Sequence, residues 1–263
     1  MTETQDSKRN ERVLVTGSAG TIGGPVCDEL RRRGYQVRGF DARPTEGLED
    51  SLVGDIADRG AIDRAMRGCD SVVHLAAEVR SHDIDFIDHL LQPNIVGVYN
   101  ILETAREQNL RRVVLASSIH TVNGHFRNRD VFEHPIGLED GPAPRNHYGV
   151  TKVWAEELGA MYARRFEMSV VAVRIAWLPR SQQEAEKMQR GRGVYLYLSY
   201  DDAGRCFAQA VATSEIDFGV LFAANPDAPY DLEPGKRLIN FVPQDRYPQG
   251  MPFVIPERTL EQD

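Results

Sequence analysis

Cysteine is scarce in this chain: Cys27, Cys69 and Cys206 are odd in number, far apart and without CxxC spacing. The pattern excludes a disulfide framework and reads as reduced thiols in a cytoplasmic protein. Positive charge is also in deficit. With 31 Lys and Arg against 39 Asp and Glu, the net charge is −8, which argues against nucleic acid as a partner. No apolar run approaches the roughly 20 residues that span a bilayer. The stretch Met1 to Arg12 is polar, so neither a signal peptide nor a membrane anchor is expected. Internal repeats and low-complexity tracts are absent.

What is present suffices for one substantial core: 263 residues, 41% of them hydrophobic. Arg12 to Thr16 is an apolar, partly β-branched run, and Gly17-Ser18-Ala19-Gly20-Thr21-Ile22-Gly23 follows at once. Beyond it Ile22, Val26, Cys27 and Leu30 recur at helical spacing, so the order is strand, glycine turn, helix. Glycines there let backbone approach a pyrophosphate, whose charge is met by the helix N-terminus. A second strand, 35–41, ends in Asp41, 24 residues after Gly17. That is where a dinucleotide fold places the carboxylate for the adenosine ribose; it favours NAD over NADP, and nearby Arg43 weakens the preference.

Ser51 to Ile56 reads as a third strand, with Asp55 placed to face the adenine amine, and 57–67 as a short polar helix. Ser71 to Ala77 is a buried strand whose small terminal residues leave room for a cofactor, with His74 a core histidine. Residues 80–92 hold His82, Asp83, Asp85, Asp88 and His89, but their spacing matches no closed metal site and suits a solvated helix face. Pro93-Asn94 opens a helix through Gln108. Arg112 to Ser118 is another buried strand, and 119–145 a functional loop. A sixth strand, 169–175, carries Arg174. Helices are expected at 182–190 and from the Ser199 cap to about Thr213, and a last strand at 219–223. Seven of the fourteen prolines lie between Pro226 and Pro256, so the tail should be extended loops and turns.

Chemistry is expected at His147-Tyr148-Gly149-Val150-Thr151-Lys152, which opens a helix through about Phe166. Four residues apart, Tyr148 and Lys152 share a helix face, and a neighbouring ammonium lowers a phenol's pKa. Tyr148 is then suited to exchange a proton with a substrate hydroxyl.

The elements give an α/β, doubly wound parallel sheet of Rossmann type. Residues 1–11 are expected as a flexible N-terminus, 12–176 as the dinucleotide-binding core with the catalytic helix, and 177–263 as a small substrate-binding region packed on it. In Thr16-Gly17-xx-Gly20-xx-Gly23, Asp41, Gly54-Asp55-Ile56, His74-Leu75-Ala76-Ala77, Pro93-Asn94 and Tyr148-xxx-Lys152, the chain resembles the extended short-chain dehydrogenase/reductases, the NAD-dependent epimerase/dehydratase family. Ser117-Ser118-Ile119-His120-Thr121, Val173-Arg174-Ile175 and Ser199-Tyr200-Asp201-Asp202 are most similar to its uronate dehydrogenase branch.

The resemblance implies NAD as cofactor, held by Gly17, Gly20, Thr21, Ile22, Gly23, Asp41, Asp55, Ile56, Leu75, Ala76, Ala77, Asn94, Tyr148 and Lys152. Fewer than ninety residues follow Arg174, which implies a small sugar, polyol or sugar acid rather than a nucleotide sugar. Arg174 would grip a substrate carboxylate. The family usually carries Ser or Thr three residues before the Val of its VYG-like segment; Val122-Asn123-Gly124 occupies that segment, so Ile119 holds the position. Ser118 or His120 is left to orient the reacting oxygen. Alternatives within the family are a sugar-phosphate dehydrogenase, an epimerase or dehydratase that retains NAD, and a non-enzymatic dinucleotide sensor. A homodimer through the helices at 94–108 and 148–166, or a larger assembly, is expected.

Overall fold

Alternation along the first strand, β1 (Arg12–Thr16), sends Val13 and Val15 to one core and Leu14 to another, so the sheet is buried on both faces. The computed structural model describes residues 11–79, 85–127, 130–190, 192–214 and 216–253. The expected flexible N-terminus falls almost wholly outside them, as do His82 and Asp83.

Seven parallel strands form the sheet: β1, β2 (Gln36–Asp41), β3 (Ser51–Val53), β4 (Ser71–His74), β5 (Arg112–Ser118), β6 (Val170–Ile175) and β7 (Phe218–Ala223). Their spatial order is 3-2-1-4-5-6-7, a doubly wound Rossmann-type sheet. The chain reverses direction across the sheet at the β1/β4 pair, where Thr16 registers with His74, and a crevice opens beyond those strand ends.

Helices α1 (Gly23–Arg32) and α6 (Tyr200–Ala212) cover one face; α2 (Arg59–Met66), α3 (Gly97–Glu107) and α4 (His147–Phe166) cover the other. Short helices α5 (Gln182–Met188) and α7 (Glu233–Ile239) lie in the C-terminal part. Side-chain caps set several starts: Asp58 accepts from Ala61 N, Asn146 from Gly149 N and Ser199 from Asp202 N.

Three elements differ from the sequence expectation. The third strand stops at Val53, leaving Asp55 in the following turn, where its carboxylate accepts from Ala57 N. The helix expected to open at Pro93 starts at Phe86 as a π-helical segment, Phe86–Val96, continuous with α3. Pro93 is inside it and contributes no N–H to the helix, at the segment where the pairing departs from α-helical. The proline-rich tail contains α7, with Pro234 in its first turn, where that N–H is not needed.

The 119–145 loop is tied at both ends. Gly124 N donates to Ala143 O and Ala143 N to Thr121 O, each at 2.7 Å, while Ile136 exchanges backbone bonds with Pro229 and Asp231. These bonds fix where α4 begins.

Candidate active site

One cleft of about 890 Å³ runs along the carboxyl ends of the strands. Its nucleotide end is lined by Gly17, Gly20, Thr21, Ile22, Gly23, Asp41, Asp55, Ile56, Leu75, Ala76 and Ala77, and its other end by Ser118, His120 and Tyr148. In sequence the two groups occupy residues 17–77 and 118–148; the parallel sheet brings their strand ends together.

Backbone shapes the nucleotide end. Gly17 has φ +74, and a Cβ there would lie 2.7 Å from Ala76 N, so β1 and β4 close on each other only because that position is glycine. α1 has no side-chain cap at Ile22; Gly23 N–H is taken by Gly20 O and Pro25 has none, so of the first three helical positions Gly24 N–H is left for an anion. Asp41 accepts from Ala19 N (3.0 Å) and Arg43 N (3.1 Å), one bond per oxygen, and keeps acceptor capacity for a ribose hydroxyl. Arg43 is folded back onto Ala19 O at 2.9 Å. Glycine floor, uncapped helix start and acidic rim together fit a dinucleotide.

Buried side chains shape the other end. Tyr148 lies in the first turn of α4, and burial pushes its phenol up to about 12, opposed by a hydrogen bond with the Ser118 hydroxyl and by the positive charge of Arg180. Lys152, one turn on, is 4% exposed; it donates to Ala116 O at 2.8 Å and sits 5.6 Å from the Tyr148 ring centroid. Burial brings its ammonium down to about 8, opposed by Glu156. The groups that oppose the rise in the Tyr148 pKa are Ser118 and Arg180, where the sequence pointed to Lys152.

A profile of the NAD dependent epimerase/dehydratase family matches residues 13–179. The chain belongs to that family, and NAD is its cofactor. It is 34% identical over 250 residues to the L-arabinose 1-dehydrogenase (NAD(P)(+)) of Haloferax volcanii, covering 89% of this chain and 96% of that protein. Uronate dehydrogenase of Pseudomonas putida is 26% identical, over 81% of this chain and 76% of its own. Among solved structures, uronate dehydrogenase from Agrobacterium tumefaciens superposes with a TM-score of 0.75 at 27% identity, covering 89% of this chain and 85% of that one.

Within this family fold, two residues singled out by the sequence motifs take places other than those expected, for packing reasons. Arg174 does not face the cleft: it is 5% exposed and forks onto Glu156, Nε to Oε1 at 2.9 Å and Nη2 to Oε2 at 2.8 Å. Its carboxylate partner is the protein's own. Asn94 lies behind the cleft wall, bonded to the backbone of Glu78 at both amide atoms and to Thr151 Oγ1, so it braces β4's extension against α4. Ile119 packs on the core at 6% exposed and still lines the cleft beside Ser118, because the chain enters a 3-10 turn directly after β5; the hydroxyl that bonds with Tyr148 is that of Ser118, one residue earlier than the family position.

Asn146 was missed. Its Oδ1 caps α4 through Gly149 N, which turns its NH2 onto His120 Nδ1 at 3.0 Å. Nδ1 therefore accepts, the ring proton lies on Nε2, and the ring stands edge-on to Tyr148 at 5.4 Å. An Asn immediately before a helix was the available signal. Arg180, Glu184 and Lys187 also line the cleft, and Arg180 is forked onto Glu184. Their α5 segment carried no motif. Among the described residues no His, Cys, Asp and Glu group is arranged to hold a metal.

Proposed function

We propose that this protein is an NAD-dependent dehydrogenase that oxidises a hydroxyl of a small sugar or sugar acid. The observation that carries the reading is the single cleft joining the glycine floor to Ser118, His120 and Tyr148. The similarity to sugar and sugar-acid dehydrogenases supports it. Bound NAD supplies the hydride acceptor. Tyr148 removes the hydroxyl proton, Ser118 hydrogen-bonds the reacting oxygen, and His120 contacts the sugar through Nε2–H. Lys152 lies beneath the cleft wall, where it keeps positive charge under the phenol rather than reaching the nicotinamide ribose expected of it from the sequence.

Adding NAD to a panel of aldoses, uronic acids and sugar phosphates should raise absorbance at the reduced-nicotinamide band with at least one of them. An isomerised or dehydrated product with no net absorbance change would select the epimerase or dehydratase chemistry instead, and silence across the panel would sink both.

For assembly, exposed Tyr99 on α3 and Val150, Met161 and Phe166 on α4 support pairing of two copies through these helices. Light scattering should show a dimer or larger species at micromolar concentration. Among the described residues no helix is long and apolar enough to cross a membrane, and all three cysteines are buried and free, in keeping with a cytoplasmic location.

A further inference from the structure

Glu156 lies one helical turn beyond Lys152 and two beyond Tyr148, so the three share one face of α4. It is 5% exposed, and both its oxygens are occupied: Arg174 forks onto them and Ser117 Oγ donates to Oε1 at 2.5 Å. Arg174 is the carboxylate's direct ion-pair partner, whereas the buried Lys152 ammonium donates to Ala116 O and feels the Glu156 charge from one turn away on the same helix face. Nothing in the chemistry assigned to Tyr148 and Lys152 uses that carboxylate.

We propose that Glu156, clamped by Arg174 and Ser117, is a positioning residue that keeps the Lys152 ammonium charged beneath Tyr148. The inference rests on the reading of Tyr148 and Lys152 as the proton-transfer pair. A carboxylate aligned by two donors from neighbouring strands cannot swing away from Lys152, and its field acts in a site where water does not screen it.

Among the described residues, the groups facing Lys152 are few. On its own helix they are Tyr148 and Glu156; on β5 the Ala116 carbonyl; on β4 His74; Arg174 on β6 is engaged by Glu156. His74 is kept neutral, its pKa held near 3 by burial and by Lys152 itself, so it adds no repelling charge beside Lys152. Glu156 is thus the anion that opposes the burial of Lys152.

A purely structural ion pair makes a different forecast from this one. Removing both partners of a buried pair is often neutral for folding, whereas removing one strands the other. If Glu156 served Arg174 alone, Glu156→Gln with Arg174→Met would restore normal behaviour at Lys152. The proposal requires the opposite.

The chain has lysine only at positions 8, 152, 187 and 236, so isotope-labelled lysine side chains give few signals, and Lys152 is assigned with Lys152→Arg. In cofactor-free protein the Lys152 midpoint should drop by about one pH unit or more in the double variant, and in Glu156→Gln where that variant folds. The alkaline limb of the kcat/KM profile should move down with it, because Lys152 loses its charge at lower pH. Glu156→Asp, which keeps the charge on a shorter arm, should recover part of the shift. A double variant that folds with an unmoved Lys152 midpoint overturns the proposal and leaves the pair structural; if neither Gln variant folds, Glu156→Leu with Arg174→Met replaces the pair by apolar groups and is read in the same way. The titration needs no turnover, so it separates the two readings: full activity in Tyr148→Phe would sink the dehydrogenase mechanism without moving the Lys152 midpoint.

Discussion

The two ends of the cleft are built from different materials. At the nucleotide end the recognising groups are backbone N–H, glycine surface and Asp41, set by the turn between β1 and α1. At the reacting end the work falls to side chains taken out of water: Tyr148 in the cleft and Lys152 and Glu156 beneath it are all 7% exposed or less, and the buried His74, bonded to Thr16, is coupled to them through the Lys152 charge. Backbone recognition depends on steric fit and little on pH. Buried ionisable groups depend on one another, because each charge is stabilised or repelled by its neighbours in a medium that screens weakly.

Four changes test this division, from the largest expected effect to the smallest. Tyr148→Phe should lower kcat by about 10²- to 10⁴-fold while NAD affinity, measured by fluorescence titration, changes far less. An equal loss of binding would erase the distinction between the ends. Gly17→Ala should do the reverse. It forces a left-handed φ on alanine and drives its Cβ into Ala76 N, so about 2–3 kcal/mol of stability should go, together with NAD binding, as read by denaturant melts with and without NAD.

His74 sharpens the contrast through pH. Its pKa falls from 6.5 in the unfolded chain to about 3 when folded, so the unfolded state takes up the proton first on acidification. Stability is intact above about pH 6.5 and is lost as pH falls toward 3. Between pH 7 and 5 the loss should be about 2 kcal/mol, and His74→Gln should flatten that slope. Nucleotide-end variants such as Asp41→Asn should leave it in place. The smallest effect belongs to Asn146→Ala, which removes the α4 cap and the brace on His120 together. About 1 kcal/mol of stability should be lost, and KM for the sugar should rise more than kcat falls.

Legibility followed the same division. The residues from Gly17 to Gly23, Asp41, and Leu75 to Ala77 were readable because a local turn and strand ends dictate them, and each of these segments lines the cleft. Tyr148 and Lys152 were readable as a pair at helical spacing, yet Lys152 lies beneath the cleft wall and bonds a strand carbonyl. Arg174 was misread because an arginine at a strand end looks the same whether it faces a ligand or a helix. Glu156, eighteen residues earlier, decides between these by accepting its fork. Asn94 was misplaced for a like reason, since Thr151 and the Glu78 backbone that engage it come from separate elements.

By itself the sequence determined the parallel α/β sheet, the glycine floor with its acidic rim and the face of α4 that carries Tyr148 and Lys152. Each follows from local periodicity or from a backbone shape that few residues allow. Only the tertiary structure decided that the Ser118 hydroxyl bonds with the phenol, that Asn146 holds His120, and that Arg174 is engaged by Glu156. Those outcomes depend on which side chains meet across β4, β5, β6 and α4, where burial makes an unpaired charge too costly to leave.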